Sequence, residues 1–164
     1  MDTQGDYICH RCGLVPVPSH LWYYFPVFTC AVFLRRRVVH ELGIGFDTKW
    51  RALGDVFWFM ELTRQRVRMA ELRRFTSVFT ETGANLCMKP SAFAEAKIKT
   101  QMTPGWVKAI APAITFYTQM RWLARGAYSQ RPFDYSVYAL DSPDRRVLRH
   151  AERPTSLWRR QIPA

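Results

Sequence analysis

The 164-residue sequence predicts a mainly α-helical chain with one N-terminal transmembrane helix, and three observations predict it. Gly13 to Leu34 is a 22-residue stretch free of Asp, Glu, Lys and Arg, ending at Arg35-Arg36-Arg37. A charge-free stretch of that length can cross a bilayer. Of the 24 Lys and Arg residues only Arg11 precedes it, so the first 12 residues sum to −1 and the remainder to +12. Such a bias orients a span with its basic side inward. Beyond the stretch, apolar residues recur at helical spacing between capping signals.

In chain order, residues 1–18 form a short polar segment, and its acidic start lacks the basic n-region of a cleavable presequence. Residues 19–42 are the membrane helix and its basic flank. Ser19 is placed to cap it, Trp22, Tyr23 and Tyr24 sit where an aromatic belt belongs, and Pro26 is expected to kink it. The densely apolar part, Leu21 to Leu34, has only 14 residues. That is about 21 Å of helix against roughly 30 Å of hydrocarbon, so a buried helix or strand pair is the alternative.

Residues 47–126 read as a helical body. A long basic helix is expected from Asp47 or Thr48 to about Thr82, stopped by Gly83. Trp50, Leu53, Phe57, Phe75, Val78 and Phe79 share one face of it, but so do Arg64, Arg68 and Glu71. Such a face suits a headgroup layer, a subunit interface or a bent helix with local charge pairing. Ser91 is a cap for a short helix to about Thr100, and Thr103-Pro104 starts another spanning Gly105 to Leu123. Residues 127–164, punctuated by Pro132, Pro143, Pro154 and Pro163, read as an extended basic arm. Phe133 to Leu140 alternates like a strand but has no evident sheet partner.

Aromatic residues at 15% argue against a disordered chain, and a net charge of +11 points to an anionic partner. Nineteen of the basic residues are Arg, which suits fixed contacts to phosphate and carboxylate. No phosphate-cradling glycine loop, nucleophile elbow or paired-carboxylate pattern is present, so no enzyme and no cofactor is expected.

Tyr7-Ile8-Cys9-His10-Arg11-Cys12-Gly13 resembles one knuckle of a zinc ribbon or rubredoxin-like site. A structural zinc needs four ligands, and Cys30 and Cys87 form no second pair. Cys9 and Cys12 are therefore metal candidates with an incomplete ligand set, beside the alternatives of a disulfide or free thiols. His20 and His40 are isolated and read as interfacial or solvated. Basic residues interleave with aromatics at Arg121-Trp122-Leu123-Ala124-Arg125 and Leu157-Trp158-Arg159-Arg160, which suits RNA or a phospholipid surface.

The expected function is that of a non-catalytic accessory subunit of a large mitochondrial inner-membrane complex, of the respiratory chain or ATP synthase. Its N-terminus would face the intermembrane space and its body the matrix. Neighbouring subunits and an anionic phospholipid such as cardiolipin are the expected partners. Arg35, Arg36, Arg37, Arg64, Arg68, Trp122 and Arg125 are the headgroup candidates. The alternative is a basic protein of an organellar ribosome or other ribonucleoprotein particle, with nucleic acid as the partner.

Overall fold

The computed structural model describes residues 1–82 and 89–157. Among these, five helices, two short 3-10 turns and one β-hairpin are the regular elements. The helices are α1 (Arg36–His40), α2 (Gly54–Arg64), α3 (Pro90–Met102), α4 (Gly105–Ala109) and α5 (Ala111–Ala124). The strands are β1 (Phe133–Ala139) and β2 (Ser142–Ala151). The expected stop at Gly83, together with Cys87, Trp158, Arg159, Arg160 and Pro163, lies outside the described residues.

The transmembrane helix expected over 19–42 is absent. No helix among the described residues is long and apolar enough to cross a membrane, which removes the basis for the single-pass inner-membrane topology. The apolar run instead forms 3-10 turns at Pro18–Trp22 and Thr29–Ala31, joined by irregular backbone. Pro16, Pro18 and Pro26 each lack an N–H, and Pro26 also disfavours helix in the residue before it. The Leu14 N–H bonds the Pro26 carbonyl at 3.1 Å, folding the run back on itself. Its side chains fill a core: buried Leu21 clusters with Val38, Ile44, Trp58, Phe59 and Leu62, and Phe25, Val27 and Val32 pack against them.

That core belongs to the first of two units, comprising 13–74 and the described residues from 89 to 117. Within it the Trp58 indole donates to the Ile44 carbonyl at 3.2 Å, so the buried ring has no orphaned donor. Phe46 stacks on Trp58 with ring centroids 4.4 Å apart. The turn that leads into α2 is tied to α3. Glu95 of α3 accepts the backbone N–H groups of Arg51, Ala52 and Leu53 at 2.8, 3.0 and 2.7 Å. These N–H groups precede the helix, so the carboxylate fixes the turn ahead of α2 and sits at the end that its dipole makes favourable to an anion.

The long basic helix expected from Asp47 to Thr82 is also corrected, because α2 ends at Arg64. The Arg66 N–H bonds the Thr63 carbonyl and the Val67 N–H bonds the Leu62 carbonyl, a Schellman pattern that places Arg66 at the left-handed position with φ 56. Beyond it the described chain to residue 82 forms neither helix nor strand. The second apolar helix is interrupted near Ile110, since Pro112 is tolerated in the first turn of a new helix but not inside one continuous with α4.

The second unit holds 1–12, 75–82 and 118–157. The expected extended arm is here an antiparallel hairpin, with Asp134 opposite His150 and Ser136 opposite Leu148 across a Leu140-Asp141 turn. The N-terminal segment lies against it. The Tyr135 hydroxyl donates to the Gly5 carbonyl at 2.9 Å, and the Leu140 N–H bonds the Thr3 carbonyl at 3.1 Å. Gly5 sits at φ 85, and a Cβ there would meet Val137 at 3.3 Å. The chain is thus not the mainly α protein expected, since a strand pair organises one unit.

Candidate nucleic-acid interface

The strongest cationic feature arises where helix was expected and irregular chain is found. Val67 and Met69 pack against the first unit's core, and the Glu71 carboxylate accepts the Val15 N–H at 2.9 Å. Exposure alternates along this stretch: residues 67, 69 and 71 are half-buried, whereas Arg66, Arg68 and Leu72 between and beyond them are exposed, as is Arg74. This resolves the anomaly of a helix face on which arginines interrupted an apolar stripe. Arg66 and Arg68 are exposed while Val67 and Met69 are half-buried, and from Leu72 onward Leu72, Arg73 and Arg74 are all exposed.

The same core anchors α1 through Val38, which is buried while Arg35, Arg36 and Arg37 around its start are exposed. Phe33, just before them, is 76% exposed. Arg35, Arg36, Arg37, Arg66, Arg68, Arg73 and Arg74 make no ion pair among the described residues. Arg64 differs. Its guanidinium holds Glu61 bidentately at 2.7 and 2.6 Å, and with Gln65 it lowers the Glu61 carboxyl to about 2. Its charge is locally neutralised, so of the predicted contact residues only Arg35, Arg36, Arg37 and Arg68 join this surface. Arg66, Arg73 and Arg74 join them, and no sequence signal distinguished these from Arg64.

The remaining predicted residues lie in the second unit. Trp122 is half-buried and its indole donates to the Cys12 carbonyl at 3.1 Å, while Arg125 is half-buried at the end of α5. Cys9 and Cys12 are half-buried and form no disulfide with each other, and no group of three or more His, Cys, Asp or Glu among the described residues is arranged to hold a metal. No family model, curated protein or solved structure matches the chain.

Around the Cys-x-x-Cys segment the chemistry is that of a pinned backbone. The Tyr7 hydroxyl donates to the Thr155 carbonyl and accepts the Thr155 N–H, both at 3.1 Å, and lies 2.8 Å from Nδ1 of His10. His10 is buried, and burial pushes its pKa down against the opposing Ala127 backbone. Burial likewise pushes the Tyr7 hydroxyl up, opposed by its bond to Thr155. Phe75 and Phe133 stack at 5.1 Å beside this group. These residues join the N-terminus to the chain after β2 and serve the fold.

Proposed function

We propose that this chain is a non-catalytic structural component of a ribonucleoprotein particle, holding RNA through its first unit. The observation that carries the reading is the set of seven exposed arginines that make no ion pair among the described residues, on α1 and on the segment after α2, both anchored to one core. Arginine contacts phosphate bidentately, so a set of exposed guanidinium groups suits a phosphate backbone. Phe33 and Leu72, exposed among the arginines, offer apolar surface to unstacked bases.

The test is binding of a single-stranded RNA oligonucleotide to the full chain, followed by fluorescence anisotropy across increasing salt. Each neutralised phosphate contributes roughly −0.7 to the slope of log K against log salt. Arg68→Ala with Arg74→Ala should then flatten the slope by about 1.4 while leaving the fold intact, since both side chains are exposed. No RNA binding at low salt, or a slope indifferent to these substitutions, overturns the reading.

A further inference from the structure

The chain places a hydroxyl ahead of proline twice, at Thr103-Pro104 and at Ser142-Pro143. The fold separates the two. Thr103 is buried at the end of α3, where its hydroxyl donates to the Lys99 carbonyl at 2.8 Å. Reaching it would require unwinding the helix end. Ser142 opens β2 at the tip of the hairpin, beside the exposed Leu140-Asp141 turn. There the ladder is interrupted. Val137 pairs with Val147 and Ala139 with Ser142, which leaves Pro143, Asp144, Arg145 and Arg146 across from Tyr138 alone. These four residues of β2 are exposed, and backbone with few ladder bonds at an element's end opens at low cost. The whole tip lies within the second unit.

We propose that Ser142 is a phosphorylation site for a proline-directed serine/threonine kinase, which recognises Ser142-Pro143-Asp144-Arg145. Such kinases hold the substrate extended and take proline next to the acceptor, because proline brings no N–H to be buried unsatisfied. They favour a basic side chain three residues past the acceptor. Arg145 stands there, whereas Thr103 has Trp106 at that position. In the transfer, Oγ of Ser142 bonds to the γ-phosphorus of ATP as the bond from that phosphorus to the bridging oxygen breaks. ADP leaves, and the hydroxyl proton passes to the kinase's catalytic aspartate. The product has a receptor in place. Nε of Arg145 already donates to Oγ of Ser142 at 3.4 Å, a loose bond that a guanidinium exchanges for charge-assisted bonds to phosphate oxygens. Asp141 and Asp144 flank the site in sequence and oppose a new anion, so Arg145 is the group that offsets them.

The test incubates the full chain with a purified cyclin-dependent kinase and γ-labelled ATP, and maps the phosphate by mass spectrometry. The expected result is stoichiometric phosphate on Ser142 and none on Thr103. Ser142→Ala and Pro143→Ala should each abolish the labelling. Arg145→Ala should lower kcat/KM for the transfer roughly tenfold, the effect of losing one charge-assisted hydrogen bond. The same variant should raise the second ionisation of the phosphoserine, followed by phosphorus NMR, because a guanidinium favours the dianion. Circular dichroism checks the fold of each variant, and none of the three side chains is buried. No incorporation overturns the proposal, as does phosphate on Thr103 or labelling that persists in the Ser142→Ala chain. A phosphoserine whose ionisation is indifferent to Arg145 overturns the receptor.

Discussion

Replacing Arg66 with Gly separates the fold from the proposed RNA contact in a single residue. Arg66 adopts φ 56 at the end of α2, where the two closing hydrogen bonds of the Schellman pattern require a left-handed residue. For an L residue that conformation costs about 1–2 kcal/mol. Glycine removes this strain but loses roughly 0.5–1 kcal/mol more in backbone entropy on folding. The net is a stabilisation of about 0.5–1 kcal/mol, which for a chain this size raises Tm by about 2 °C. The Arg66 side chain is exposed and makes no ion pair among the described residues, so its loss subtracts little.

The same substitution removes one guanidinium from the arginine surface. RNA affinity should fall while stability rises, with the salt slope smaller by roughly 0.7. Arg66→Ala is the control, because it loses the same charge but keeps the strained backbone. Its Tm should stay within about 1 °C of the parent and its RNA affinity should match the Gly variant. Thermal melts followed by circular dichroism, with RNA anisotropy on the same samples, give both readings. A Gly variant less stable than the Ala variant would refute the left-handed assignment. RNA affinity unchanged in both would remove Arg66 from the contact surface.

The end of α5 supplies the opposite experiment: Gly126 occupies the matching position at φ 66, so Gly126→Ala should lower stability by about 1 kcal/mol. An unchanged urea midpoint would contradict that geometry. Burial tends to raise the Glu95 carboxyl, but the N–H groups of Arg51, Leu53 and Ala52 together outweigh it and hold it below its ordinary value. Its stabilising contribution is therefore complete above the unfolded value and lost as pH falls through the lower folded value. Because the carboxylate is largely solvated, Glu95→Gln should cost no more than about 1 kcal/mol at pH 7 and flatten the loss of stability below about pH 4.5, both measurable by urea titration. For His10 the folded pKa is depressed by burial, so the unfolded chain takes up the proton first. Stability should begin to fall as pH drops through about 6.5 and level off below the folded value. His10→Gln should abolish that step, and a step that persists would place its origin elsewhere.

What the sequence revealed was composition and local signals, and what it concealed was backbone period. The start at Pro104 and the strand-like alternation of Phe133 to Leu140 correspond to elements found, whereas of the long helix expected from Asp47 or Thr48 to Thr82 only Gly54–Arg64 is helical. The basic segment after Arg64 failed because a helical and an irregular course place the same apolar residues differently. The conflict of Arg68 and Glu71 with the apolar stripe was the visible sign that the helical period was wrong. The strand partner of β1 was missed because Arg145, Arg146, Arg149 and His150 make β2 look like a solvated arm. In the structure one of these charges is tied down, with Arg149 meeting Asp6 at 2.9 Å, while His150 meets Asp134 at 2.6 Å. The charge-free run over Gly13 to Leu34 was long enough for a span, yet its three prolines weighed more than its length.

Net charge alone would not expose an arginine surface, because acids distributed among the bases would neutralise them. The first unit holds fourteen Lys and Arg against six Asp and Glu among its described residues. Five of those six acids are engaged in hydrogen bonds within the fold. Asp47 accepts the Lys49 N–H and Asp55 accepts the Thr29 hydroxyl. Glu61 binds Arg64, Glu71 accepts the Val15 N–H, and Glu95 holds the turn ahead of α2. Four of these five spend oxygen atoms on backbone N–H or hydroxyl donors, so their charge goes to helix starts and turns and leaves most arginines uncompensated. Folding therefore sorts charge. The carboxylates stabilise backbone, and the arginines of α1 and of the segment after α2 remain available to an anion from outside the chain. It follows that Glu71→Gln should loosen the segment by weakening its tie to Val15, while the exposed arginines retain their charge. RNA affinity should then fall through lost preorganisation with the salt slope unchanged, a combination that loss of a phosphate contact would not produce.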